Sequence, residues 1–296
     1  MISRAKRFVR SRLANLFEDT VNQSMRRDAK AAPETKVAQK ALFHYYSDLQ
    51  ANGRRIPALG ETGFRVFSQF DEDGRLLFIF AVLGVHTGVF VDIGAADGVN
   101  SNCANLAVNF GWDGVFIDAD IANVERGRKF YATHPDTWAY PPRFVHATVT
   151  RENVNALLEA AGVAGDVDFL SIDIDGNDYW IWDAIHCITP KVVMIETHVE
   201  FGLRSIVVPY DADYVPPGKH PHYHGASPPA MAKLADRKGY RLVGANQYGF
   251  NTIYVRRGLG EAALPEVSVA SILEHPRNRE RQRLFEAIKD FDYIEV

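Results

Sequence analysis

Apolar, β-rich runs alternate with helix-forming runs through the middle of this 296-residue chain. The apolar runs begin near residues 89, 114, 143, 168 and 191, and a segment with helical periodicity follows each of the first four. Strands joined through helices of this length form βαβ units, which place the strands parallel in one sheet. Most of these runs are almost continuously apolar, as expected when helices cover both faces. The pattern predicts an α/β domain with a mostly parallel sheet.

The last two β-rich runs are connected differently. RLVGANQ and FNTIYVRR are separated only by Tyr248 and Gly249, and a two-residue connection that contains glycine predicts an antiparallel hairpin. Five parallel strands with a C-terminal hairpin outline the Rossmann-like sheet of methyltransferases that use S-adenosylmethionine (SAM). A plain dinucleotide-binding sheet has no reason to end in this way. We expect this domain at 61–260, a helical extension at 1–60 and a helical tail at 261–296.

Composition limits the possible partners and compartments. The formal net charge of −4 gives no general basic field for nucleic acid, so no nucleic-acid partner is expected. The two cysteines, Cys103 and Cys187, do not make a disulfide framework, which favours a reducing compartment. We found neither a secretory segment nor an apolar run long enough for a bilayer. The sequence therefore predicts a cytoplasmic protein, although attachment to a membrane surface remains compatible with it.

The first residues predict a basic amphipathic helix. Its apolar positions recur at helical spacing and are Ile2, Val9, Leu13, Leu16 and Phe17; its basic positions are Arg4, Lys6, Arg7, Arg10 and Arg12. Three interpretations stay open: docking on its own domain or on a second subunit, peripheral attachment to a membrane, and a transit peptide.

A glycine-containing loop follows the first apolar run and precedes a helix. It reads Asp92-Ile-Gly94-Ala95-Ala-Asp97-Gly98. Glycine lets a backbone turn tightly and approach a ligand closely. The two acids would repel a pyrophosphate but suit the ammonium and sulfonium of SAM. The alternative is a tight turn without a ligand.

A second acid, Asp118, ends the next strand about 20 residues beyond the glycines, where a carboxylate can bind both ribose hydroxyls. This position does not separate SAM from NAD. The alternative is a cap on the following helix, which Asp120 could provide equally well.

The fourth and fifth strands end in further acids and a histidine: Asp173, Asp175, Asp178, Glu196 and His198. The carboxyl ends of parallel strands meet at the edge where open α/β sheets bind ligands. Such a cluster repels itself unless a cation, shared protons or positive substrate groups compensate. Asp175 and Glu196 are predicted to bind Mg²⁺, with Asp178 or His198 as proton acceptor. In the competing account no metal binds, and a carboxylate takes the proton directly.

These motifs together resemble the FkbM-like family of SAM-dependent methyltransferases, over roughly Ser68 to Arg257. The resemblance rests on SQFDEDG, VFVDIGAADGVNSN, KVVMIETH, KGYRLVGANQYGFNTIYVRR and, most specifically, DFLSIDIDGNDYWIW. It departs at Asp71, where the family has Gly, and at Thr197-His198, where Tyr-Asn would be expected. The resemblance implies O-methylation of a sugar or polyketide hydroxyl.

The resemblance and the motifs give a set of expected site residues. The catalytic residues would be Asp173, Asp175, Asp178 and His198. The SAM-binding residues would be Gln69, Glu72, Asp73, Asp92, Gly94, Ala95, Asp97, Gly98, Asn100, Asp118, Thr148 and Asp173.

The predicted function is SAM-dependent O-methylation of a saccharide or glycoconjugate hydroxyl. One rival is an NAD-dependent oxidoreductase, against which the acidic loop and the hairpin count. The other is a non-catalytic binding protein on the same fold, against which the acidic cluster counts. The loop PGKHPHYHG adds His220, His222 and His224, for which a lid that touches substrate, a metal site and a plain solvated loop stay open.

Overall fold

The computed structural model describes residues 33–296. The basic amphipathic helix predicted at residues 2–17 lies outside them. The helices are α1 (Pro33–Ala51), α2 (Glu72–Leu83), α3 (Ala104–Phe110), α4 (Ile121–Thr133), α5 (Val154–Ala160), α6 (Asp178–Ala184), α7 (Pro228–Arg237), α8 (Val269–Ile272) and α9 (Pro276–Arg281). No helix within this range is both long and apolar enough to cross a membrane.

The strands are β1 (Val89–Ile93), β2 (Asp113–Asp118), β3 (Arg143–His146), β4 (Gly165–Ile172), β5 (Ile188–Glu196), β6 (Ile206–Val207), β7 (Tyr240–Ala245), β8 (Asn251–Arg256) and β9 (Ile294–Glu295). The chain divides after Ala41 into two units, and the larger, Leu42–Val296, contains every strand of the described residues.

Seven strands form one sheet in the order β3-β2-β1-β4-β5-β8-β7. The first five are parallel, whereas β8 runs antiparallel to both β5 and β7. The predicted mostly parallel sheet with a terminal hairpin is therefore confirmed. The connection is longer than predicted, because β7 ends at Ala245 and β8 begins at Asn251. The Asn246 side chain closes this loop by accepting the N–H groups of Gly249 (2.9 Å) and Phe250 (3.2 Å).

The two faces of the sheet bury different side chains, as the two-residue period of a strand requires. One face is mainly aliphatic, with Val91 and Ile93 of β1 in a buried cluster that includes residues of α5, α6 and α7. The other is aromatic: Phe90 lies 4.9 Å from Phe116, and Phe116 lies 5.3 Å from Tyr131 of α4, measured between ring centres. Because helices cover both faces, the ends of the strands are the parts of the sheet that a ligand can reach.

The tail at 261–296 is only partly helical. It contains α8, α9 and a 3₁₀ helix (Gln282–Ala287), and it ends in β9, which pairs with β6 as a separate antiparallel ribbon. The Ser205 hydroxyl also donates to the carbonyl of Val296 at 2.7 Å. The end of the chain is thus held against the segment that follows β5.

Candidate active site

Carboxylates collect at the carboxyl edge of the sheet, where the strand order reverses between β1 and β4. Ligands of open α/β sheets bind in the crevice at such a reversal. Four strands each bring an acid to this edge: Asp92 in β1, Asp118 at the end of β2, Asp173 directly after β4 and Glu196 at the end of β5. The fold thus brings the predicted acids to one edge of the sheet.

Gly94 allows the loops after β1 and β4 to approach each other closely at this reversal. Its φ is +85°, and a Cβ atom there would lie 1.7 Å from the carbonyl oxygen of Asp173. The N–H groups of Gly94 and Ala95 donate to the carbonyl of Ile117 at 2.9 and 3.1 Å. Gly94 is required because the loops after β1 and β4 touch, a reason that needs no ligand.

Gly98 faces aromatic rings. Its φ is +68°, and a Cβ atom would lie 3.1 Å from Phe144 and 3.2 Å from Phe116. A side chain at Gly98 would therefore be directed into the aromatic packing of Phe116 and Phe144. Nearby, Asp97 pairs with Arg126 at 3.8 Å, and Asn100 is exposed.

Asp92 is buried beneath this edge. It accepts a short hydrogen bond from the Ser101 hydroxyl. Burial raises the pKa of Asp92 to about 6, although hydrogen bonds from Ser101 and Ser171 oppose the shift. These contacts make Asp92 a support for the loop.

Asp118 is half-buried, and its carboxylate accepts three hydrogen bonds from the protein. Its Oδ2 accepts the N–H of Ala96 at 2.8 Å, and its Oδ1 accepts the N–H of Asp120 at 2.9 Å and the amide of Asn123 at 3.1 Å. Each carboxylate oxygen has two lone pairs, so Oδ2 can still accept from a ribose. Asp120, not Asp118, caps α4 by accepting the N–H of Ala122. Thr148, beyond β3 at the same edge, is exposed.

The first turn of α2 carries two buried carboxylates, Glu72 and Asp73. Glu72 accepts from the side-chain amides of Asn246 and Asn251, both at 2.9 Å, and from a backbone N–H. Asp73 Oδ2 accepts three backbone N–H groups at 2.6–2.8 Å. Its Oδ1 is buried without a hydrogen-bond partner in the described part of the chain, and burial raises the Asp73 pKa to about 6. Gln69 is exposed. Asp73 therefore offers one acceptor to a ligand, whereas Glu72 is occupied.

The acidic cluster, defined as Asp173, Asp175 and Glu196, lies at the ends of β4 and β5. Each of its members offers a carboxylate oxygen, and these oxygens all lie within 4.8 Å of one another. Burial and the neighbouring carboxylates raise the pKa values of Asp173 and Glu196 well above their usual range. The cluster therefore favours the binding of protons or of a cation.

Asp178 shapes the loop that presents Asp175. Its two carboxylate oxygens accept the N–H groups of Ile174 and Gly176, both at 2.9 Å. Asp175 between them has a φ of +58°, a left-handed conformation that few residues other than glycine adopt. Asp178 is thus placed to position Asp175, which is exposed.

His198 lies between two carboxylates. Its Nε2 is 3.8 Å from Glu196 Oε2 and its Nδ1 is 3.7 Å from Glu200 Oε2, with only 9% of its side chain exposed. Among the described residues neither ring nitrogen has a hydrogen-bond partner. Burial would raise the pKa of Glu200, but its contact with His198 and the charge of Arg281, 2.7 Å away, lower it to about 2.

A cavity of about 550 Å³ opens beside the acidic cluster. Its wall is formed by the loop after β4 and by 208–224, and it includes Asn177, Tyr210, Tyr214 and His224. The Tyr214 hydroxyl has no hydrogen-bond partner in the described chain. Burial, with the charges of Asp175, Asp178 and Glu196, raises its pKa to about 12. Tyr214 therefore belongs to both the cavity wall and the surroundings of the cluster.

The three histidines of this loop separate in space. The ring of His224 lies 3.9 Å from that of His198, while His222 Nδ1 is 3.9 Å from Glu200. Burial and the nearby His198 lower the pKa of His224 to about 4. Within residues 33–296 only the acidic cluster brings three metal-ligating side chains this close, so His220, His222 and His224 form no common metal site.

The sequence analysis did not predict three residues at the site: Glu200, Tyr214 and Arg281. Glu200 carries only a weak signal, its position two residues beyond His198, because the 3₁₀ helix Val199–Phe201 sets where its side chain lies. Tyr214 and Arg281 carry none, since their proximity to the site depends on distant parts of the chain.

No protein-family model matches the chain, and no curated protein matches it. Similar solved structures include a TehB-like SAM-dependent methyltransferase from Corynebacterium glutamicum, with 12% identity and a TM-score of 0.34 over 75% of this chain and 99% of that one. A SAM-dependent methyltransferase from Methanosarcina mazei has 11% identity and a TM-score of 0.36, over 58% and 93% of the two chains. Magnesium protoporphyrin IX methyltransferase from Synechocystis, with bound SAM, has 11% identity and a TM-score of 0.35, over 63% and 83%.

Similarity at this level carries no argument about family or reaction. The resemblance to the FkbM-like family stays a prediction.

Proposed function

We propose that the chain is a SAM-dependent methyltransferase that methylates a hydroxyl group of a saccharide or glycoconjugate. The observation that carries this proposal is the convergence of carboxylates at the edge where the strand order reverses. A negatively charged edge favours a cofactor with an ammonium and a sulfonium, and it disfavours the pyrophosphate of NAD.

The residues present fit SAM. Asp118 would bind the ribose through the free lone pair of Oδ2, and the unpartnered Oδ1 of Asp73 would accept from the ammonium. Asp173 is a member of the acidic cluster, and its backbone carbonyl meets the loop at Gly94, so the cluster adjoins this crevice. When bound, SAM supplies a methyl group that its positive sulfonium activates.

The cavity beside the cluster is the acceptor site in this proposal. Its volume of about 550 Å³ lies within the range of small-molecule sites. Tyr210 and Tyr214 contribute aromatic rings to its wall, and such rings suit the apolar faces of a sugar. Asn177 also lines it, and its side-chain amide donates to the carbonyl of Asp211 at 2.7 Å. The chain's task is to hold one hydroxyl in line with the methyl group.

Two groups can accept the proton that the hydroxyl loses. Burial and the neighbouring carboxylates raise the pKa of Asp173, which makes it a stronger base than an ordinary carboxylate, and the Nε2 of His198 is directed toward Glu196. Asp178 is less suited, because both of its oxygens accept backbone N–H groups. We assign it to positioning Asp175.

Calorimetric titration of the full chain with SAM, and separately with NAD, tests the cofactor. We expect binding of SAM alone; binding of NAD alone would overturn the proposal.

Transfer of labelled methyl from SAM to a panel of glycans and nucleotide sugars tests the reaction. Asp173→Asn should lower transfer while SAM still binds. SAM binding without transfer to any member of the panel would contradict the proposed acceptor and would favour a binding protein.

A further inference from the structure

We propose that Asp173, Asp175 and Glu196 form a binding site for one divalent cation of the Mg²⁺ or Mn²⁺ type. Hard cations prefer oxygen ligands, and two or three carboxylates with water complete their coordination. Two oxygens on one such ion lie at most about 4 Å apart, twice the metal–oxygen distance. The separations within 4.8 Å need only small side-chain movements to reach this geometry.

A second observation at the same place is the His198 side chain. It is more than nine-tenths buried, its Nε2 is directed at Glu196, and neither nitrogen has a hydrogen-bond partner among the described residues. Buried polar groups without partners are rare in folded proteins, and each calls for a water, an ion or a ligand. A hydrated cation on Glu196 supplies that partner through a bound water.

The surrounding loop fits this use. Asp178 holds the residues on both sides of Asp175, so the most exposed ligand is also the one whose backbone is tied down. Gly176 and Asn177, which follow it, line the acceptor cavity. A cation can therefore enter from the cavity without opening the sheet.

The role of the cation rests on the proposed function, whereas its binding does not. A bound cation offsets the mutual repulsion of the three carboxylates. It also lowers the pKa of a coordinated hydroxyl, which helps that oxygen attack at neutral pH. With Asp173 used as a ligand, His198 becomes the proton acceptor.

Electron paramagnetic resonance with Mn²⁺, on full-length protein first stripped with EDTA, tests the site. We expect one saturable Mn²⁺ site per chain that Mg²⁺ displaces. Asp175→Asn and Glu196→Gln should each weaken Mn²⁺ binding about tenfold or more. The matched control is Asp213→Asn, an exposed acid of the 208–224 loop outside the cluster, which should bind Mn²⁺ as the wild type does.

Absence of a saturable site in the wild type overturns the inference, as does equal weakening by the Asp213 variant. SAM binding measured on the same stripped samples separates this result from the proposed function. If SAM binds but Mn²⁺ does not, only the cation site is lost. Full methyl transfer in EDTA would remove the catalytic role even where Mn²⁺ binds.

Discussion

Two sets of carboxylates lie close together at this end of the molecule and differ in their partners. The anchored acids, Glu72, Asp73 and Asp178, accept hydrogen bonds from the protein's own N–H groups. The open acids are those of the acidic cluster, and no residue within 33–296 donates a hydrogen bond to their carboxylates. The first set holds the site together, with only Oδ1 of Asp73 left without a protein partner, and the second is available to a ligand.

Residue type and motif do not separate the two sets. Asp175 and Asp178 belong to the same short motif, yet one is exposed and the other buried. The number of protein donors around each carboxylate is what distinguishes them, because a carboxylate surrounded by its own backbone has little capacity left.

Glu72→Ala should give the largest loss of stability. The substitution removes the acceptor of three donors around a buried side chain: the side-chain amides of Asn246 and Asn251 and the backbone N–H of Phe70. Each unsatisfied buried donor is destabilising, so the free energy of unfolding should fall by about 3–5 kcal/mol. Urea denaturation measures it, with the exposed Glu159→Ala, expected within about 0.5 kcal/mol of wild type, as control. A loss as small as that of the control would place Glu72 outside the anchored set.

The Asp73 carboxylate should give a pH-dependent stability. Burial raises its pKa from 3.8 to about 6, so the folded chain binds this proton more tightly than the unfolded chain. Stability therefore falls as pH rises through this window. Relative to Asp73→Asn, the wild type should lose about 2–3 kcal/mol between about pH 4 and about pH 7. Urea denaturation of both proteins across this range measures it, and parallel stability curves would show that Asp73 is not desolvated.

Asp178→Ala and Asp175→Asn give the most direct contrast. Loss of the Asp178 acceptors frees two backbone N–H groups and should destabilise by about 2 kcal/mol. Asp175→Asn should change stability by less than about 0.5 kcal/mol, because the residue is exposed and asparagine tolerates a positive φ. Thermal unfolding of both variants measures the difference. Equal destabilisation would erase the distinction between anchored and open acids.

Asp118 shares features of both sets, since its carboxylate accepts hydrogen bonds from the protein and Oδ2 keeps a free lone pair. Asp118→Asn should weaken SAM binding by about 1–2 kcal/mol, as expected when a charged acceptor becomes neutral. Asp120→Asn is the matched control, because asparagine also caps helices and Asp120 serves α4. Calorimetry that shows the same loss for both variants would indicate a general effect of charge and no ribose contact.

Local sequence patterns were sufficient for the frame of the site. Alternating apolar and helical periods predicted the parallel strands, and Gly111 follows α3 in the left-handed conformation typical of a glycine after a helix. Such features depend on backbone periodicity and on near neighbours, which any short window of sequence contains. The sequence also predicted that the acids lie at one edge, because the carboxyl ends of parallel strands share one side of a sheet.

Only the tertiary structure decided what each of these residues does. Glu72 is occupied because Asn246 and Asn251 fold back onto it from the far hairpin. Gly98 faces aromatic rings from β2 and β3, and Arg281 in the tail binds Glu200 beside His198. These partners come from chain segments that only the packing of the sheet and its tail brings together, so no local pattern records whether a carboxylate is anchored or open.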